Sequence, residues 1–152
     1  MSKVLARFNE YLRSNKFYRL ILIVFVIEAS WIALSAKYPQ AFDENFHFGL
    51  IKIYAHYWLP FLTTQPPHAD AYGAVARDPS YLYHYLMSFP YRLINLFVKG
   101  QTVQVIILRF INIGFFAFGL VLFRKILLKV GTSKALTNLI LTLFILSRLF
   151  PN

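Results

Sequence analysis

Residues 17–36 read FYRLILIVFVIEASWIALSA, and this stretch decides the fold class. A helix needs about 20 apolar residues to cross the hydrocarbon layer of a bilayer, and the run supplies them. Only Arg19 at its edge and Glu28 inside it interrupt the pattern. Its length, with no small-residue cleavage pattern behind it, predicts a retained membrane helix rather than a signal peptide. Three further apolar stretches follow. Residues 103–123 are broken only by Arg109 and Asn112, residues 81–98 carry His84, Pro90 and Arg92, and residues 136–149 are short. Every long element is apolar and none alternates as a strand does. The expected fold is therefore all-α, a polytopic membrane protein with about four transmembrane helices in a single membrane domain.

Composition points the same way. The 152 residues are 58% hydrophobic and 14% charged, where soluble domains carry roughly 25% charged residues. A formal charge of +10 does not indicate nucleic acid here, because the basic residues flank apolar runs instead of forming a polar basic face. There is no cysteine, which removes disulfides, thiolate metal sites and cysteine nucleophiles. Lys3, Arg7, Arg13, Lys16 and Arg19 precede the first helix against Glu10 alone, so the positive-inside rule places the N-terminus in the cytoplasm of a multi-pass cell-membrane protein. Within residues 1–16, Leu5, Phe8 and Leu12 share a helical face, as in an amphipathic helix on the inner membrane surface; a frayed basic tail is the plain alternative. Strict alternation of four helices leaves Arg124, Lys125, Lys129 and Lys134 outside, against the rule.

Residues 37–80 form the outer loop and hold four of the six acidic residues. From 44 to 59, Phe46, Leu50, Ile53 and Tyr57 recur at helical spacing, predicting an amphipathic helix along the outer headgroups. Asp43 and Glu44 open it. The positive end of the helix dipole keeps a carboxylate ionised there, which a general base requires. Adjacent carboxylates point in different directions, so one suits the substrate while the other fixes a divalent cation. An ordinary solvated acidic pair remains the alternative. His47 lies three and four residues further on, near both acids on a helix face. With Glu44, and with His84 or His56, it is a candidate metal ligand; otherwise it is a hydrogen-bond partner. Glu28 is costly in lipid and is expected to pair with Arg109 or Arg92. Arg77 and the row Tyr81, Tyr83, His84 that follows Asp78-Pro79-Ser80 would suit a phosphate-bearing headgroup, since arginine binds phosphate in a fork; taken alone, membrane anchoring by arginine and tyrosine explains them better.

Taken together, Phe42-Asp43-Glu44-Asn45-Phe46-His47-Phe48, then Asp78-Pro79-Ser80-Tyr81-Leu82-Tyr83-His84-Tyr85, then Leu108-Arg109-Phe110-Ile111-Asn112 carry a resemblance. The chain resembles the N-terminal part of the polytopic C-type glycosyltransferases that use lipid-phosphate sugars, among them protein mannosyltransferases and aminoarabinose transferases. It is also similar to a group of bacterial membrane proteins with an Asp-Glu-x-x-His-Phe signature. The resemblance implies a polyprenyl-phosphate sugar as donor and Asp43 as the base or acceptor-orienting carboxylate, with Glu44 beside it. It implies that Arg77, Tyr81 and Tyr83, with His84 next to them, lie near the lipid-phosphate. Membrane lipids, and further helices from a continuing or partner chain, are the other expected partners. A small non-enzymatic helical subunit is the reading from a different class.

Overall fold

The computed structural model describes residues 3–40, 43–62, 64–67, 69–73 and 81–149, and among these every regular element is helical. The order is α1 (Lys3–Arg13), α2 (Asn15–Ser35), α3 (Glu44–Tyr54), a 3-10 turn (Asp70–Tyr72), α4 (Leu82–Phe97), α5 (Gln101–Lys129) and α6 (Lys134–Leu149).

Among the described residues, two helices are long and apolar enough to cross a membrane: α2 with 21 residues and α5 with 29. At 1.5 Å per residue they reach about 31 Å and about 44 Å, against a hydrocarbon layer of about 30 Å. Only 11% and 17% of their most apolar windows are buried. Ile27, Trp31 and Leu34 of α2 and Phe115 and Phe118 of α5 stand exposed. The core helix of a water-soluble domain hides such side chains; these two leave them open. Two helices, rather than about four, have this length. α4 and α6 have 16 residues each, which is about 24 Å, and α4 carries Pro90 in mid-helix.

The chain divides into two compact units, one of Met1–Ile32 with Asn112–Asn152 and the other of Ala33–Ile111. In the first, Ser14 ends α1 and starts α2: its Oγ accepts the Phe17 amide at 3.0 Å, as an N-capping serine does. Ile21 and Phe25 pack with Leu120, Leu141 and Ile145. Arg124 is held over the Tyr18 ring at 4.2 Å and donates to the side-chain oxygens of Asn15 (2.8 Å) and Asn138 (3.3 Å). Asn138 in turn donates to the Leu12 carbonyl at 2.7 Å. The basic end of α5 and the basic start of α2 therefore meet. α5 closes at Gly131, whose φ of +88° favours glycine, with the Thr132 amide reaching back to the Leu127 carbonyl at 3.0 Å.

In the second unit, Phe48 and Ile51 of α3 pack with Met87 and Tyr91 of α4 and with Val105 and Leu108 of α5. Leu50 and Tyr54 point elsewhere, into a smaller cluster with Ala69. α3 is thus buried on more than one side. It also stops at Tyr54, short of the expected residue 59. At that end the Arg92 guanidinium donates to the Tyr54 carbonyl at 3.0 Å, which also accepts the Tyr57 amide at 3.0 Å, and to the Tyr57 carbonyl. The same group lies 4.4 Å over the Trp58 ring.

Arg109 fixes the other end of α3. Its Nε and Nη2 donate to the two Glu44 carboxylate oxygens, each at 2.8 Å, while Nη1 donates to the Ala33 and Ala36 carbonyls at 2.9 Å. Among the described residues, Glu28 forms no ion pair with Arg109 or Arg92, whose hydrogen bonds go to Glu44 and to the backbone carbonyls of Ala33, Ala36, Tyr54 and Tyr57. Glu28 Oε2 is buried with no hydrogen bond among the described residues. The Arg109 and Glu44 side chains are only 12% and 19% exposed. Removing one partner strands the other charge, which costs about 3–5 kcal/mol for buried pairs. Arg109→Ala should therefore lower stability by about that much in thermal unfolding of the detergent-solubilised protein, since it strands Glu44. Lys125→Ala, at an exposed position, should change it by less than about 0.5 kcal/mol.

Candidate functional site

The two adjacent acids diverge. Successive residues at a helix start are turned by about 100°, and Glu44 turns inward to Arg109 while Asp43 stays on the surface with its side chain 64% exposed. Burial alone would raise the Glu44 pKa, but the Arg109 hydrogen bonds, the Gln40 amide (2.6 Å to Oε2) and the Arg109 charge outweigh it and hold the carboxyl below its usual value. Glu44 is an ionised structural group whose oxygens are both occupied.

Asp43 begins a different chain of contacts. Its Oδ2 lies 3.4 Å from His47 Nε2, one helical turn on. His47 Nδ1 lies 2.8 Å from His84 Nε2, with the two rings stacked at 16° and 5.1 Å between centroids. His84 is only 6% exposed, and the rings of Tyr81 and Tyr83 stand edge-on to it at 5.6 and 5.3 Å. The His47 tautomer with its proton on Nε2 turns that proton toward Asp43. His47 Nδ1 then accepts from His84 Nε2–H. This leaves His84 Nδ1 as a bare lone pair, and that atom is buried with no hydrogen-bond partner among the described residues. The array runs carboxylate, half-exposed imidazole, buried imidazole.

Of the expected site residues, the structure brings together Asp43, His47 and His84, with Tyr81 and Tyr83 beside them. Tyr81 Oη is engaged, donating to the Tyr72 carbonyl at 2.8 Å. Arg77, Asp78 and Ser80 lie outside the described residues. Glu44 is separated from the group by its commitment to Arg109. The residues present do not fit the divalent cation assigned to Glu44 and His47. A 2.8 Å contact between two imidazole nitrogens is a direct hydrogen bond with no room for an ion between them. Among the described residues no set of three His, Asp or Glu side chains converges as metal ligands. The spacing of Asp43 and His47 is readable along one helix; the junction of His47 with His84, 37 residues away, carries no local signal. Neither does the polar row formed by Tyr38, Asn45 and Gln101, which sequence reasoning missed.

No protein-family model, curated protein or solved structure matches this chain.

Burial, and next the charge of His47, lower the His84 pKa from 6.5 to about 4, against a smaller opposing effect of the Tyr81 backbone. The unfolded chain therefore takes up this proton at higher pH than the folded one, so stability falls with falling pH between about 6.5 and 4. Thermal unfolding followed across that window should show the loss in the wild type and a flatter profile in His84→Phe. Equal slopes would contradict the burial of this ring.

Proposed function

We propose that this chain is a membrane glycosyltransferase, or the N-terminal module of one. It moves a sugar from a polyprenyl-phosphate donor to an acceptor hydroxyl at the outer face of the cytoplasmic membrane. The supporting observation is the Asp43 carboxylate, open to an incoming hydroxyl yet oriented by His47, which is itself backed by buried His84. That is the arrangement of a base held in one direction. Asp43 takes the proton of the acceptor hydroxyl as its oxygen attacks the anomeric carbon from the face opposite the phosphate. The bond from that carbon to the phosphate oxygen breaks, its electron pair leaves on the phosphate, and the configuration inverts. Asp43, being exposed, returns its proton to water. Arg77 is the sequence's cation for the departing phosphate, and further helices of a continuing or partner chain complete the enclosure.

The placement of charges supports the assigned orientation. With α2 and α5 as the two crossings, Arg124, Lys125 and Lys129 return to the side of the N-terminal basic cluster, as the contact of Arg124 with Asn15 requires. The positive-inside rule is then satisfied at both ends, with the loop of residues 37–80 assigned to the outer side. A second reading, a non-enzymatic helical subunit, is favoured by one observation: half of the acidic pair, Glu44, is a packing lock. On that reading Asp43 and His47 do no more than close the start of a helix.

Membranes carrying Asp43→Asn should transfer labelled sugar from polyprenyl-phosphate donors about 10²–10⁴-fold more slowly than wild type, the usual contribution of a general base, at equal protein level. Turnover like that of the wild type would rule out that role for Asp43. Topology is open to a separate check, because the chain has no cysteine of its own. A membrane-impermeant maleimide applied to intact cells should label Leu59→Cys, an exposed position, and should reach Lys129→Cys only after permeabilisation. The reverse pattern would invert the orientation.

A further inference from the structure

The last turn of α1 is fastened to α6. The two helices pack together, and the Asn138 side chain of α6 donates to the Leu12 carbonyl at 2.7 Å and to the Ser14 carbonyl at 3.3 Å. The apolar side chains of α1 nevertheless stay open. Val4, Leu5, Phe8 and Tyr11 are 75%, 57%, 58% and 45% exposed. At about 100° per residue they fall within one arc of about 120°, flanked by Arg7. α1 is thus held at one end while its apolar arc has no protein cover.

Cations gather at the same fastening. Arg124 donates to Asn138 and Asn15 and lies over the Tyr18 ring, so the partners of its charge are all neutral. Arg13, Lys16 and Arg19 are chain neighbours of Leu12, Asn15 and Tyr18, Lys125 follows Arg124, and Lys134 stands about one turn before Asn138. Each of these five side chains is exposed. The ion pairs formed among the described residues lie elsewhere, at Asp43 and Glu44. Glu10 is the acid nearest in the chain, and Glu28 lies about 15 Å beyond Tyr18 along α2. The junction of α1, α2, α5 and α6 therefore carries an uncompensated positive charge beside an uncovered apolar arc.

The two features together select a partner. A soluble polyanion, such as a nucleic acid or an acidic peptide, would match the charge and leave Val4, Leu5 and Phe8 in water. Zwitterionic lipid would cover the arc and leave the charge unmatched. An anionic phospholipid meets both, with its phosphate among the cations and its acyl chains under the arc. We infer that this junction is a docking surface for anionic phospholipid, with Arg13, Lys16 and Lys125 at the headgroups and Val4, Leu5 and Phe8 against the acyl chains. The inference does not rest on the transferase reading, and it names a lipid class where an amphipathic helix alone names only a bilayer.

Fluorescence quenching in nanodiscs tests it. The full chain carries Phe8→Trp as reporter, with Trp31→Phe and Trp58→Phe to remove the 2 native tryptophans; all three positions are exposed. Brominated acyl chains quench a tryptophan they touch, so mixtures of phosphatidylglycerol and phosphatidylcholine, each brominated in turn, give the relative affinity of the two lipids at α1. Phosphatidylglycerol should be preferred at least about tenfold, since each lysine or arginine at an anionic surface contributes about fivefold. Lys16→Gln with Lys125→Gln, which leaves the Arg124 contacts in place, should lower that preference by about fivefold or more. Salt at about 1 M, where the screening length is about 3 Å, should act in the same direction. Lys99→Gln, exposed in the Ala33–Ile111 unit, should leave the preference unchanged. Quenching by neither lipid would take α1 off the bilayer and overturn the proposal. So would equal affinity for the two lipids, or a preference unmoved by the lysine variants. Loss of the preference on adding a short RNA or polyglutamate, at equal negative charge and about 0.15 M salt, would assign the surface to a soluble polyanion and overturn it as well.

Discussion

A single guanidinium organises the Ala33–Ile111 unit. Arg109 places two donors on Glu44 and a third nitrogen on the carbonyls of Ala33 and Ala36. The end of α2, the start of α3 and the body of α5 are thereby joined at one planar group. Only arginine offers this fork, since a lysine ammonium is a point charge that satisfies one oxygen well. In a region with so little water, the alternative to the pair is an unpaired carboxylate facing apolar side chains, which is why the contact is worth more than a surface ion pair. The orientation of α3 follows from it, and with α3 the direction in which Asp43 faces.

This constraint divides the acidic pair into two jobs. Glu44 is ionised because it is paired, and its charge is used up in holding helices. Asp43, next to it, is left on the surface, and the residue that meets it is His47. The buried ring of His84 then restricts His47 to one orientation, and the aromatic edges of Tyr81 and Tyr83 keep His84 away from water. The chemistry proposed for Asp43 therefore depends on packing two layers behind it. The Arg92 contact at the far end of α3 has the same character, a cation set on the carbonyls of Tyr54 and Tyr57.

Much of this was legible in the residues. The run 17–36 announces a long apolar helix, and 103–123 lies within another, α5. The Asp43–His47 contact follows from a spacing of four on a helix. Other parts were not legible because they depend on residues distant in the chain. The number of apolar stretches suggested about four crossings; among the described residues two helices have the length for it, while α4 packs on α3 and has 16 residues. Glu28 and Arg109 looked like natural partners, as the conspicuous charges within apolar runs. The guanidinium instead serves a carboxylate that reads as a loop residue. Nothing local marks Tyr38, Asn45 and Gln101 as neighbours, since hydroxyl and amide side chains are common at helix ends.

The most direct test of this account is a double-mutant cycle on the Arg109 fork, using Glu44→Gln, Arg109→Met and the pair together, read as unfolding free energy in one detergent. The account predicts a coupling of about 2–3 kcal/mol, with the double variant far less damaged than the sum of the two single ones. Effects that add to within about 0.5 kcal/mol would mean that the two side chains act independently, and the orientation of α3 derived from their union would fall with it.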